Sequence, residues 1–281
     1  MTPRRTTPRL VRRLLPFTVV AGPLFACAEI GTGVETPAAI EMTPFPSPSV
    51  VVGDTLRTVG GVVAPVVAIV RNTAGDAISN APVRYLYADF NRDSALSVDS
   101  VTGIVVARKA IAGEARIAAR VGGSLQVIRN LLVTIAPDTL EAPAQPFTLT
   151  TTLPDTGRQG AQANASQSLQ VALRNIKGAV PTPVNGWVVR YGLRRPLNAS
   201  NDTTAAVFLV DDQGRVSAID TTDASGNAGR RIRVRAASFP AGAAGTTDTV
   251  EVLVEASLRG QPVRGAPRLI RVAVRRGAIA P

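Results

Sequence analysis

From Glu35 to the end of the chain, apolar residues recur at every second position in short runs, and Gly, Pro, Asn and Asp interrupt the runs about every 8 to 12 residues. Val66, Ala68 and Val70 alternate with Val67 and Ile69, and Val83, Tyr85 and Tyr87 alternate with Arg84 and Leu86. Near the C-terminus, Val250, Val252 and Val254 alternate with Glu251, Leu253 and Glu255; Ile270, Val272 and Val274 alternate with Arg271, Ala273 and Arg275. A period of two sends successive side chains to opposite faces of an extended strand. No amphipathic helix period competes with it, so the pattern predicts an all-β chain of the β-sandwich kind.

The runs repeat. The segment from Val66 to Gly75 aligns without a gap on the segment from Leu169 to Gly178, and Val83-Arg84-Tyr85 matches Val189-Arg190-Tyr191. In both copies a strand ends in Arg-Asn, a short turn carries a Gly where positive φ is cheap, and a second strand carries a Tyr. The expected organisation is two tandem β-sandwiches, residues 36–136 and a longer 137–281, with insertions at Gly192 to Ala206 and Ser238 to Asp248. Trp187, Val189 and Tyr191 share a face, which makes Trp187 the expected core aromatic of the second domain.

These segments resemble bacterial immunoglobulin-like domains of the Big type, as repeated in invasin and intimin-like adhesins and envelope lipoproteins. The resemblance runs through Val52-Gly53-Asp54-Thr55-Leu56, Asn80-Ala81-Pro82-Val83, Val101-Thr102-Gly103-Ile104-Val105 and Gly113 to Ala119 in the first copy. In the second it is clearest at Thr222-Asp223-Ala224-Ser225-Gly226-Asn227-Ala228. It implies two tandem immunoglobulin-like sandwiches at the cell envelope, and it implies no particular activity, since this fold hosts unrelated functions.

The N-terminus carries an address. Arg4, Arg5, Arg9, Arg12 and Arg13 precede an apolar run from Leu14 to Ala26. The run is shorter than the ~20 residues a membrane-spanning helix needs and is interrupted by Pro16 and Pro23, so residues 1–26 read as a signal peptide. Leu24-Phe25-Ala26-Cys27 resembles the lipobox of bacterial lipoproteins, with Phe25 in place of the usual small residue. The resemblance implies diacylation of Cys27 and cleavage before it, leaving residues 27–35 as a tether. From Ala28 to Glu35 that tether reaches at most roughly 27 Å, at about 3.4 Å per residue.

Cys27 is the only cysteine and there is no histidine. An internal disulfide, thiolate zinc clusters, imidazole-bound metals and Ser-His-Asp or Cys-His catalysis are therefore excluded. No G-x-S-x-G, no phosphate loop and no S-x-x-K reaching Lys109 or Lys177 is present. Asp211, Asp212, Asp220 and Asp223 cluster in sequence, and their oxygens would suit Ca²⁺; they lack EF-hand spacing and are expected to serve turns. The formal charge is +11, but the five arginines of the first 26 residues account for nearly half, leaving about +6. In the last hairpin, Glu251 is expected opposite Arg275 and Glu255 opposite Arg271, each cross-strand pair worth about 0.2–1 kcal/mol. Arg231, Arg233 and Arg235 alternate with Ile232 and Val234 and lack nearby acids in sequence. With Arg174 beside them they would form a stripe suited to an anionic lipid, polysaccharide or acidic protein.

The reading is a non-catalytic, lipid-anchored protein, exported to face the periplasm or the cell surface, whose domains serve as binding or spacer modules in adhesion or structure. Its alternative is an accessory or scaffold subunit docked on a larger membrane complex. A glycan-processing enzyme, needing two convergent carboxylates in a cleft, ranks third. Expected partners are the membrane, through the lipid, and a protein or anionic polymer; no cofactor, metal or nucleic acid is expected.

Overall fold

A computed structural model describes residues 36–89, 95–111, 113–142, 146–152, 164–196 and 206–278. The expected signal peptide, Cys27 and the expected tether lie outside them. Every regular element among the described residues is a β-strand. In the first half these are β1 (Ala39–Met42), β2 (Ser49–Val51), β3 (Ala68–Arg71), β4 (Arg84–Tyr87), β5 (Leu96–Val98), β6 (Val105–Ala107), β7 (Glu114–Val121) and β8 (Leu125–Thr134). The second half holds β9 (Thr139–Glu141), β10 (Phe147–Thr150), β11 (Val171–Asn175), β12 (Thr182–Pro183), β13 (Val188–Arg195), β14 (Val207–Val210) and β15 (Ile219–Thr221). It continues with β16 (Asn227–Ala228), β17 (Arg231–Val234), β18 (Thr247–Glu255), β19 (Ser257–Leu258), β20 (Gln261–Pro262) and β21 (Arg268–Arg275).

The chain folds as two tandem β-sandwiches. In the first, a sheet ordered β2-β8-β7-β4 faces the pairs β1-β3 and β5-β6. β1 pairs with β3, whereas β2, a few residues on, runs parallel to β8, so one segment contributes to both layers. The alternation along β7 is what fills the interior: Ala115, Ile117 and Ala119 point inward, to meet Met42, Val50, Leu56, Leu131 and Val133. In the second sandwich, a sheet ordered β10-β21-β18-β13-β15 faces β12-β11-β16 and the pair β14-β17. Its core gathers Val250, Val252, Val254, Ile270, Val272 and Val274 against Leu169, Val171, Leu173 and Ile232. Burying such side chains stabilises each sandwich by about 1.5–3 kcal/mol per residue. The two cores share no residue.

The sequence repeat has a structural counterpart across the layers. Tyr85 on β4 accepts a hydrogen bond at its hydroxyl from the Ala68 N–H on β3, at 3.0 Å. Tyr191 on β13 donates its hydroxyl to the Ala228 carbonyl on β16, also at 3.0 Å. Each tyrosine thus ties one sheet to the other while its ring fills the core. The repeated turn is less faithful. Asn72 to Gly75 closes with Gly75 at φ 90°, whereas Gly178 is absent from the left-handed region and Asn175 turns its side chain to the Ala136 carbonyl.

Three further expectations change. The β18–β21 ladder sets Glu251 opposite Arg271 and Thr247 opposite Arg275, four residues from the expected register, while Glu255 stands opposite Arg190 of β13. The cause is local: the chain turns at Arg259-Gly260, both at positive φ as a two-residue hairpin turn demands, and the bend between β20 and β21 absorbs the offset. The four-residue shift keeps every side chain on its expected face. The first expected insertion begins later than Gly192, because β13 runs to Arg195. Trp187 packs at the rim of the second core, half-buried, rather than at its centre.

Candidate functional site

The four arginines do not form one stripe. Arg174 lies on β11 in register with Pro183 and Thr139, and it donates to the Ser225 carbonyl. Arg231 and Arg233 lie on β17, opposite Val210 and Phe208 of β14. Strand pairing supplies what sequence proximity hid: Arg231 Nε stands 3.4 Å from Asp212, and the Arg233 guanidinium sits over the Phe208 ring at 5.7 Å from its centroid. Arg235 is exposed beyond the strand end.

The acids near them work in turns. Asp211 Oδ1 accepts the N–H groups of Gln213 and Arg215, and Asp223 Oδ1 accepts those of Ser225 and Asn227. Asn72 does the same with Ala74 and Asp76. All three turns share the pattern Asx-x-x-Gly-x with the glycine at positive φ. Desolvation works against the Asp211 charge, but the bonds from Arg215 and Gln213 outweigh it and hold its pKa below the usual carboxylate value. Asp220 accepts the Gly229 N–H at 2.7 Å and pairs with Arg230 at 2.9 Å. Among the described residues no three His, Cys, Asp or Glu side chains converge as a metal would need. Asn164, one of three N-x-[S/T] matches, is buried, its amide clamped to the backbone of Thr152; Asn198 and Asn201 lie outside the described residues. Burial, seconded by the Asp220 charge, pushes the Tyr191 hydroxyl far above its ordinary pKa, so it stays a protonated donor.

The most elaborate polar constellation lies where the sandwiches meet, and it joins residues 205 apart in sequence. Asp54 follows Gly53, which takes φ 77°. Its carboxylate is 7% exposed. Oδ1 accepts the Thr55 N–H at 2.8 Å and the Arg57 side chain at 3.1–3.2 Å, while Oδ2 accepts Arg259 Nε at 2.7 Å. Arg57 also donates to the Gly61 carbonyl at 2.9 Å, which fixes its guanidinium. Burial disfavours the Asp54 charge, but the bonds from Arg57, Arg259 and Thr55 prevail and lower its pKa. Nearby, Ser49 donates to the Gly186 carbonyl at 2.7 Å, also across the junction.

Glycines permit that approach. A Cβ on Gly61 would stand inside the backbone of Arg259 and Gly260, and one on Gly186 would strike the Leu132 side chain. In the sequence, Val52 to Leu56 carries only a family resemblance and no sign of this role, because the partner of Asp54 is a turn far along the chain. Two hollows flank the junction. One of about 40 Å³ is lined by Asp54, Arg57, Trp187 and Arg259; one of about 280 Å³ lies among Val59, Val188, Arg190, Glu255 and Pro262. Ligand pockets usually enclose about 300–1,000 Å³. The first hollow is far below that range and the second stands at its lower edge.

No protein-family model matches the chain, and no curated protein matches it. Solved structures do. An S-layer protein structure, rSbsC(31-844), is 10% identical over 86% of this chain with a TM-score of 0.30, and this chain spans 28% of its length. Human protocadherin-24 EC1-2 is 15% identical over 88% of this chain and all of its own, with a TM-score of 0.27. Zebrafish RET cadherin-like domains 1 to 4 are 12% identical over 70% of this chain and 42% of theirs, with a TM-score of 0.28. At these TM-scores the superpositions carry no argument, and the fold stands on the chain's own strand pairing. Among the described residues no helix is long and apolar enough to cross a membrane.

Proposed function

We propose that this chain is a non-catalytic envelope protein, held at a membrane by a lipid on Cys27, whose two sandwiches of the bacterial Big type act together as a stiff binding or spacer unit. The observation that carries this reading is the junction. A buried carboxylate shared by arginines of both sandwiches, closed by glycine-lined backbone contacts, makes one stiff body of two modules. A spacer needs that stiffness, and a binding module gains from it because a fixed surface loses less freedom on association. Arg174, Arg233 and Arg235 have no acidic partner among the described residues; Arg174 is held by the Ser225 carbonyl, which leaves Arg233 and Arg235 as the part of the group that can meet an anionic partner.

The anchor is tested by fractionation. Wild-type chain is expected in the membrane fraction carrying radiolabel from palmitate, and Cys27→Ser is expected in the soluble fraction without label. Unchanged fractionation of Cys27→Ser would remove the lipid from the reading.

A further inference from the structure

β8 is paired on both sides for only part of its length. β7 covers one side from Leu125 to Leu132, but β2 covers the other only from Leu132 to Thr134. The Leu132 N–H bonds the Pro48 carbonyl and the Thr134 carbonyl accepts the Val52 N–H, so the even-numbered residues direct their main-chain groups away from β7. By the alternation of an antiparallel ladder, Gln126, Ile128 and Asn130 do likewise. No described residue bonds their main-chain groups. All three side chains are exposed, Ile128 by 44%. The usual protections of a sheet edge are missing from Leu125 to Leu131: there is no lysine and no proline, and Arg129 is the one charge.

The face that carries these three side chains says what would fit. Direct cross-strand partners share a face. Gln126 is in row with Arg120 of β7 and Arg84 of β4, and Ile128 is in row with Ala118 and Leu86. Arg84 and Arg120 are like charges directly opposite each other, an arrangement that is unfavourable until an acid joins it. Arg120 donates to the Gly123 carbonyl at 2.8 Å, and among the described residues neither arginine forms an ion pair. A strand laid beside β8 would extend both rows by one residue each.

We infer that the open edge of β8 is an interaction surface for an extended segment of another protein, added as a strand, with an apolar residue opposite Ile128 and an acidic residue opposite Gln126. The main-chain groups of Gln126, Ile128 and Asn130 supply affinity for any extended backbone, and the two rows select its side chains. The apolar position continues the strip from Leu86 through Ala118 to Ile128; the acidic position lies within the reach of the long Arg120 side chain. This inference rests on the reading of the chain as a binding module, whose membrane anchor is tested separately by the Cys27→Ser fractionation.

The test uses the full chain in detergent and two labelled peptides, acetyl-Thr-Glu-Thr-Val-Thr-Glu-Thr-amide and its counterpart with Lys for Glu. These sequences read alike from either end, so strand direction does not matter. The acidic peptide is expected to bind roughly tenfold more tightly than the lysine peptide in fluorescence anisotropy. It should also slow amide exchange at Gln126, Ile128 and Asn130 and at no other strand. Ile128→Pro deletes an N–H that β7 does not use, and should abolish binding while leaving the thermal transition of the fold in place. Arg120→Glu should invert the preference between the peptides, a result that a misfolded variant cannot give. Equal affinity for both peptides, protection elsewhere, binding unaffected by Ile128→Pro, or pairing of this edge with a second copy of the chain in place of the peptide would each overturn the proposal.

Discussion

Asp54 is a carboxylate in a place that ought to neutralise it, and three donors keep it charged. Its lowered pKa gives that arrangement a definite pH signature. A carboxylate whose folded pKa lies below its unfolded value contributes stability that is full above the unfolded pKa, near 3.8 here, and is lost as pH falls through the folded value. Asp54→Asn keeps the shape and removes the charge. It should be less stable than wild type by about 1–2 kcal/mol at pH 7, since Arg57 and Arg259 retain partial contact with water. The gap should begin to close only as pH falls below about 3.8 and should vanish once pH lies below the folded value. Urea unfolding of both between pH 7 and pH 2.5 measures this difference, in which the protonation of all other acids cancels. A gap that stayed constant over that range would show that Asp54 contributes shape and no charge.

At the level of elements, much of the fold was legible because period-two alternation determines which side chains face the core regardless of which strands pair. Val250, Val252 and Val254, and Ile270, Val272 and Val274, are buried as expected, even though the register between their strands differs from the symmetric hairpin that the sequence suggested. Register depends on how many residues the turn consumes, and a turn built on Arg259 at φ 54° carries no clear sign of that conformation in its first residue. The Asx-x-x-Gly-x turns were legible for the opposite reason, since acceptor, glycine and spacing all lie within five residues. They are not equivalent in context. Gly75 takes φ 90° with open space where a Cβ would go, whereas a Cβ on Gly226, at φ 73°, would press on the Leu173 carbonyl and the Arg174 side chain. Gly75→Ala should therefore cost only the left-handed backbone penalty, about 1–2 kcal/mol. Gly226→Ala adds a clash with β11 and should cost about 3 kcal/mol or more, read from denaturation midpoints. Equal costs would mean that the β11 side of the second sandwich is looser than its contacts imply.

For the whole molecule, the arrangement of the two sandwiches was the part sequence reasoning could not reach. Asp54 and Arg259, or Ser49 and Gly186, show no local pattern that names the other, and only the fold brings them together. The junction depends on backbone meeting backbone, and this makes it brittle in a testable way. At Gly61, which takes φ 88°, an added Cβ would overlap the main chain of Arg259 and Gly260, which cannot swing aside as a side chain can. Gly61→Ala should push that turn away and draw Arg259 off Asp54, while leaving both cores intact because neither contains residue 61. Gly75→Ala is the matched control, with similar backbone strain in the same sandwich and no neighbour within reach. Spin labels on cysteines introduced for the exposed Ala74 and Gln213, in a Cys27→Ser background, report the distance between the sandwiches. A single narrow distance distribution is expected in the parent and in Gly75→Ala, and a broad or displaced one in Gly61→Ala. A narrow, unmoved distribution in Gly61→Ala would mean that the turn at Arg259 yields freely, and that the stiffness of the pair resides in the Ser49 and Gly186 contact instead.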